Sequence, residues 1–329
     1  MTDPVVQLAI QLMRAILPII MFAGVIGNSL NIAVLTRPVL YYHACSRYFL
    51  ALACNNFFFT SVILLYPLLA NGYQVDPTAS SLILCKLIIY VYQTCGTLSP
   101  YFIVLASIDR YCASSSSVCL RNFSNIKSTR WMILFIIIIM MLFGVNIAIL
   151  IDVRPTDTFG CRIRGDTIYK QVYPIMQVFL YAFIAPGLMA LFGMMTIYNT
   201  KRVRLITNAV RTQRRTENQL IRMLILQVSI HIILSVPNGI TYIMLIVPNT
   251  IKTTSAYYLA RMISQLLIYC TYATPFVLYL LSAGMYRKEL VQLLQRILRL
   301  HRNNQVQPTT NTNTILVINT KQSTMVATH

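Results

Sequence analysis

Charge is scarce in this sequence, and acid is the scarcest part of it. Eight Asp and Glu stand against 27 Lys and Arg; charged residues make up only 11% of the chain and hydrophobic ones 57%. Ordinary soluble domains carry about a quarter charged residues, so a water-facing surface of the usual kind is excluded. The scarcity is also arranged. Seven runs, between Arg14 and Arg37, Arg47 and Asp76, Lys86 and Asp109, Arg130 and Asp152, Lys170 and Lys201, Arg222 and Lys252, and Arg261 and Arg287, contain no Asp, Glu, Lys or Arg at all. Even the shortest, Trp131–Ile151, covers roughly 30 Å of hydrocarbon as a helix. Lipid offers the backbone no partners, so a spanning segment is a helix or a strand of a closed barrel, and barrel strands would be shorter and alternating. The expected fold class is an all-α membrane protein, a seven-transmembrane helix bundle. A soluble bundle of buried helices would need polar faces that these runs lack.

Other absences narrow the function. Between its outer rim and Asp109, no helix carries an acid, whereas a seven-helix transporter or ion pump wants carboxylates on its conduction path. No nucleophile–base pair or metal cluster falls in the membrane interior, which argues against an enzyme and calls for no cofactor. No small-residue cleavage pattern follows the first apolar run, so that run is read as the first helix, with about ten residues or fewer ahead of the membrane. No cysteine follows Cys270, which excludes a palmitoyl anchor on the tail.

The basic excess has a direction. Seven spans put successive loops on alternate sides, and the side of Asp109 holds 19 of the 27 basic residues and only three acids, Asp109, Glu217 and Glu289. By the positive-inside rule this side is cytoplasmic and the amino terminus is outside, the arrangement of a multi-pass plasma-membrane protein. The basic charge therefore orients the chain, faces anionic membrane lipid and can receive an acidic partner; it does not imply nucleic acid. The one candidate glycosylation sequon, Asn122-Phe123-Ser124, falls on the cytoplasmic side, where it is not used.

One stretch organises the rest. Asp109-Arg110-Tyr111 ends the run from Leu87 to Ile108, and Cys85 stands 24 positions before Asp109, about one membrane thickness along a helix. A helix with a thiol at one face and an acid–arginine pair at the other resembles the third transmembrane helix of the rhodopsin-like (class A) G-protein-coupled receptors. Further matches follow in order. Gly27-Asn28 resembles the family's pair in helix 1, which implies that Asn28 anchors helices 2 and 7. Trp131 opens helix 4, Phe183-Ile184-Ala185-Pro186 resembles the helix 5 proline motif, and Pro237 and Pro275 sit at the helix 6 and 7 positions. Pro100 in helix 3 is expected to kink it. The resemblance, over roughly residues 10 to 300, implies a Cys85–Cys161 disulfide on the oxidising face. It also places Asn28, Asn56, Ser99, Trp131, Pro186, Pro237, Thr274, Pro275 and Tyr279 in the bundle core and at its hinges, and Asp109, Arg110, Tyr111 and Glu217 at the G-protein switch, Glu217 pairing with Arg110.

The sequence departs from the family on the route between these regions. Asn56 replaces a buried aspartate, which removes the strongest ligand for a sodium ion. Met194 stands for a tyrosine, Ser235 for a tryptophan, His231 for a phenylalanine and Thr274 for an asparagine, and Tyr279 comes one residue late. His231 on its own is read as a hydrogen-bonded interior residue.

For the ligand, Tyr92 stands where amine receptors hold an aspartate and Ile268 where opsins hold the retinal lysine, which disfavours both ligands. The outer half offers Tyr92, Gln93, Gln177, Tyr181, Asn238, Tyr242, Arg261, Gln265 and Tyr269, about half of them expected to touch ligand. With a loop rich in both signs from Asp152 to Lys170, neutral donors, aromatics and a mixed-charge rim suit a peptide, and the sequence is most similar to invertebrate neuropeptide receptors of the class; a chemosensory receptor of the same fold is the alternative. The expected partners are an extracellular ligand, a heterotrimeric G protein and arrestin. Residues 1–300 form the receptor domain, closed by an amphipathic basic eighth helix from Met285 to Leu300. Residues 301–329, rich in Asn, Gln, Thr and Ser, form a disordered cytoplasmic tail whose threonines could be phosphorylated for arrestin.

Overall fold

The structure, a computed structural model, describes residues 3–153, 161–163, 169–204, 211–244 and 254–305. Six helices are long and apolar enough to cross a membrane: α1 (Pro4–Leu35), α2 (Ala44–Gly72), α3 (Leu82–Ser114), α4 (Ile126–Leu150), α5 (Ile175–Thr200) and α6, whose apolar part is Gln219–Met244 within a helix from Arg211. The seventh span is a bent pair, α7 (Ser255–Ala273) and α8 (Pro275–Ser282), meeting at 51°. The chain is thus a multi-pass seven-helix membrane protein. It divides into two compact units, Met1–Leu290 and Val291–His329, and the bundle lies wholly in the first. The amphipathic helix expected after the bundle is α9 (Gly284–Gln305). The tail from residue 306 lies outside the described residues.

Burial shows how the helices are layered. From Leu98 to Ser107 every residue of α3 is buried, so this helix is enclosed on all sides, and it packs on α2, α4, α5 and α6. By contrast α4 buries only Thr129, Met140, Gly144 and Ile147, the last three at the spacing of one helical stripe, as fits a helix at the edge with its other faces toward lipid. The bundle closes where α7 packs on α1 and α6. Two glycines set close approaches: a Cβ on Gly24 of α1 would come within 2.5 Å of Thr60 on α2, and one on Gly144 of α4 within 2.7 Å of Thr94 on α3.

Helix ends follow capping more than hydropathy. Asp3 accepts the Val5 N–H at 3.0 Å and Pro4 occupies the first helical position, so α1 starts eleven residues before the charge-free run, and the stub expected ahead of the membrane is helical. Arg14 then lies inside α1, where its Nε donates to the Gly72 carbonyl and its guanidinium stands 5.2 Å from the Tyr73 ring centroid. Asn125 caps α4 by accepting the Ser128 N–H at 2.8 Å, five residues before the expected opening at Trp131. Prolines act as their chemistry requires, since each removes a donor and crowds the carbonyl four residues back. Ahead of Pro67 and Pro186 the ladder widens to π-helical turns, Phe59–Ile63 and Phe179–Ile184; at Pro275 the helix breaks. Pro100 and Pro237 are carried inside uninterrupted helices.

Outside the helices, β1 (Ile151–Val153) pairs antiparallel with β2 (Cys161–Ile163), a two-stranded ribbon too short to signal itself as a periodic pattern. Cys161 of β2 is bonded to Cys85 of α3, with Cα atoms 5.6 Å apart, as the resemblance implied.

Gly24→Ala should lower the thermal midpoint of the purified protein through overpacking worth about 1–3 kcal/mol, because its Cβ meets the Thr60 side chain. Thr60→Ala should recover part of that loss in the double variant; equal and additive losses would mean that the two helices do not meet here.

Candidate functional site

The nine pocket residues expected from the sequence converge at the disulfide end. Seven of them, Tyr92, Gln93, Gln177, Tyr181, Asn238, Tyr242 and Tyr269, line an inner cavity of about 550 Å³ counting its open mouth, together with Phe59, Gly96, Thr97, Ile268 and Tyr272. Arg261 and Gln265 line a second, outer cavity that shares Tyr92, Gln93, Tyr242 and Tyr269 with the first and reaches Cys161. Two helical distortions build the inner wall. The π-turn of α2 places Phe59 flat on Tyr272, ring centroids 4.0 Å apart, and the π-turn of α5 carries Tyr181 into the cavity. Tyr92 and Tyr269 share a 2.8 Å hydrogen bond between their phenols, Tyr272 donates to the Gly96 carbonyl at 3.0 Å, and Gln177 donates to the Tyr173 hydroxyl at 3.0 Å.

Among the described residues, none lining the inner cavity is charged, and Arg261 alone is charged in the outer one. Such a lining suits uncharged, aromatic and hydrogen-bonding groups, since an ion buried there would lose its hydration without a counter-ion. Sequence reasoning missed Phe59, Tyr66, Tyr173, Tyr257, Tyr258 and Tyr272. A signal for two of them existed: Tyr258, Met262, Gln265, Tyr269 and Tyr272 recur at steps of four and three along one face of α7.

Beneath the cavity the helices are joined by amides and hydroxyls. Asn28 donates to the Gly24 carbonyl at 2.8 Å and to the Tyr272 carbonyl at 2.9 Å, tying α1 to α7. The expected tie from Asn28 to helix 2 is not among its hydrogen bonds, and its Oδ1 is buried with no partner. Asn56 Oδ1 accepts from Ser99 at 2.5 Å, and Ser99 accepts from Asn55, a residue the sequence did not single out, at 2.9 Å. His231 is interior as expected, 3% exposed beside the Tyr181 ring, but its Nε2 has no hydrogen-bond partner. Ser235 is buried and bonds the Ile232 carbonyl; Met194 is 63% exposed, on an outer face of α5.

At the other end, Arg110 donates through Nη2 and Nε to Asp109 Oδ2 at 2.6 and 3.1 Å, and the pair is almost wholly buried. The Ser124 hydroxyl donates to the other carboxylate oxygen at 2.7 Å. Tyr111 packs against Phe192 of α5, centroids 5.7 Å apart. The side chain of Glu217 lies outside the described residues. Trp131 does not belong to the bundle core in which it was placed: it is 67% exposed, on the face of α4 turned away from α3. Its position near a helix end suits an amphipathic ring at a membrane interface.

Thr274 is the hinge between α7 and α8, donating its N–H to the Cys270 carbonyl at 3.0 Å. The one-residue delay of Tyr279 turns it about 100° around the helix, and there it is fully buried. Its ring lies 5.2 Å from Phe49 of α2 and its hydroxyl donates to Gln227 Oε1 of α6 at 2.6 Å. Further links hold the same end. Gln219 of α6 accepts the Met285 N–H at 2.8 Å, Tyr286 donates to Asn31 at 2.7 Å, and Arg37 stands 3.6 Å from Glu289.

The chain matches the family described as 7 transmembrane receptor (rhodopsin family) over residues 27–277, most of its length. It belongs to that family. Comparison with proteins of curated function returns no match.

Tyr279→Phe should destabilise the protein by about 1–3 kcal/mol, the cost of leaving the buried Gln227 oxygen unpaired, and so lower its thermal midpoint. Adding Gln227→Leu should restore most of it; a double variant as unstable as the sum of the singles would show that the two groups do not act on each other.

Proposed function

We propose that this receptor resides in the plasma membrane with its amino terminus outside, binds a peptide through the tyrosine-rich chamber, and activates a heterotrimeric G protein at the Asp109–Arg110 end. The observation that carries the ligand class is the described lining of the chamber: tyrosines, glutamines and asparagines, with no carboxylate for an amine and no lysine for retinal among the described residues. Peptides bring the aromatic side chains and backbone amides such walls accept. A neuropeptide suits this lining best, and a small volatile or tastant, as for a chemosensory receptor, would leave the outer chamber unused.

Coupling is assigned to Arg110. It holds its charge at any physiological pH and can exchange a carboxylate for the backbone carbonyls of a partner helix. Arrestin is proposed to share this end, and the apolar face of α9, where Leu294 and Leu298 are exposed, to rest on membrane lipid.

A peptide-library screen on cells expressing the full chain, read through calcium and cyclic nucleotide levels, tests ligand and coupling together. Response to a peptide is expected, and response confined to volatile compounds would assign the alternative. Glu217→Ala should raise basal signalling about fivefold, the shift that a pair worth about 1 kcal/mol supports. Arg110→Ala should abolish the response with surface expression unchanged. Preserved signalling in that variant would remove the coupling role of Arg110.

A further inference from the structure

Between α3 and α4 lies the short helix Val118–Phe123, which buries none of its six residues. Its capping residue provides a polar link to the bundle: Ser124 donates to one oxygen of Asp109 while Arg110 holds the other. Arg121, three residues before Ser124, is exposed, as are Asn122, Phe123 and Asn125. An arginine three residues ahead of a serine is the determinant that arginine-directed protein kinases read, and a segment with no buried side chain unfolds locally at small cost. Substrate recognition by such an enzyme needs both.

We propose that Ser124 is a phosphorylation site for a basophilic serine kinase, and that its modification releases this loop from the Asp109–Arg110 pair. The proposal rests on the reading that this end faces the cytoplasm, where ATP is present. In the reaction the Ser124 oxygen bonds the γ-phosphorus of ATP as the bond to the bridging oxygen breaks; ADP leaves, and the hydroxyl proton passes to the kinase's base. A group with nearly two negative charges then stands where a hydroxyl donated. It faces a carboxylate only 4% exposed, to which the phosphate dianion has no proton to donate, and it sits at a helix C-terminus, where negative charge is unfavourable. Two anions then flank Arg110 in place of one, and the cap that ordered the loop becomes a repulsion.

The catalytic subunit of cyclic-AMP-dependent protein kinase with ATP, applied to the purified full chain, should modify Ser124 as mapped by tandem mass spectrometry. Arg121→Ala should slow that modification by about tenfold or more, because the kinase loses its basic determinant. Hydrogen exchange over residues 118–125 should rise roughly tenfold in the phosphorylated chain and in Ser124→Glu, and clearly less in Ser124→Ala, which removes the hydrogen bond without adding charge. A Ser124 that stays unmodified, or exchange no faster in Ser124→Glu than in Ser124→Ala, overturns the switch. Labelling of exposed Cys119 on intact cells by a membrane-impermeant maleimide, lost in Cys119→Ser, would instead overturn the orientation on which it rests.

Discussion

Everything in this bundle answers to one constraint: a backbone surrounded by hydrocarbon must find its hydrogen bonds within the protein. Regular helix satisfies it at once, which is why seven charge-free runs become seven spans. The irregular places are the informative ones. Where Pro67 and Pro186 deprive the ladder of a donor, it widens into π-turns instead of opening, and the extra residue in each turn redirects a ring into the cavity. Where Pro275 breaks the helix outright, Thr274 bridges the gap with its own backbone. The tyrosine-lined chamber is thus a by-product of proline chemistry in the spans that surround it.

Inside, the same constraint selects neutral polar groups. An ionised carboxylate at mid-membrane needs a counter-charge, whereas an amide or phenol needs only a geometric partner. This chain uses Asn28, Asn55, Asn56, Gln227 and a set of tyrosines to cross-link helices, and keeps its buried ion pair, Asp109 with Arg110, at one end. A buried pair of that kind is weak evidence for stability; removing one partner is what costs, at about 3–5 kcal/mol. Its value is that it can be exchanged for another pairing.

How much of this was legible in the sequence depends on what carried the information. Spans were legible because hydrocarbon thickness imposes a length on apolar runs, the disulfide because the family register implies it, and the nine residues that line the two cavities because they are polar and aromatic side chains in the outer halves of the spans. Helix starts were not, since a cap such as Asp3 or Asn125 is one residue that hydropathy averages away. Nor was the inside or outside of α4. Trp131 was placed in the core by family register alone, while the stripe Met140, Gly144 and Ile147, which does face inward, is hidden in a helix apolar on every side. The contact of Tyr279 with Gln227 was invisible for a different reason. A one-residue shift reads as decay of a motif, and only the helical rotation shows that it creates a new bond.

That lone tryptophan has a practical meaning. Indole dominates protein fluorescence when tyrosine is not excited, and here the single indole sits on the outer surface of α4 and lines neither cavity. Its emission reports the detergent or lipid around one helix end. The interior is optically blank, so an indole placed at Ser235, beneath the chamber on α6, would report bundle rearrangement against no competing signal except from one removable residue.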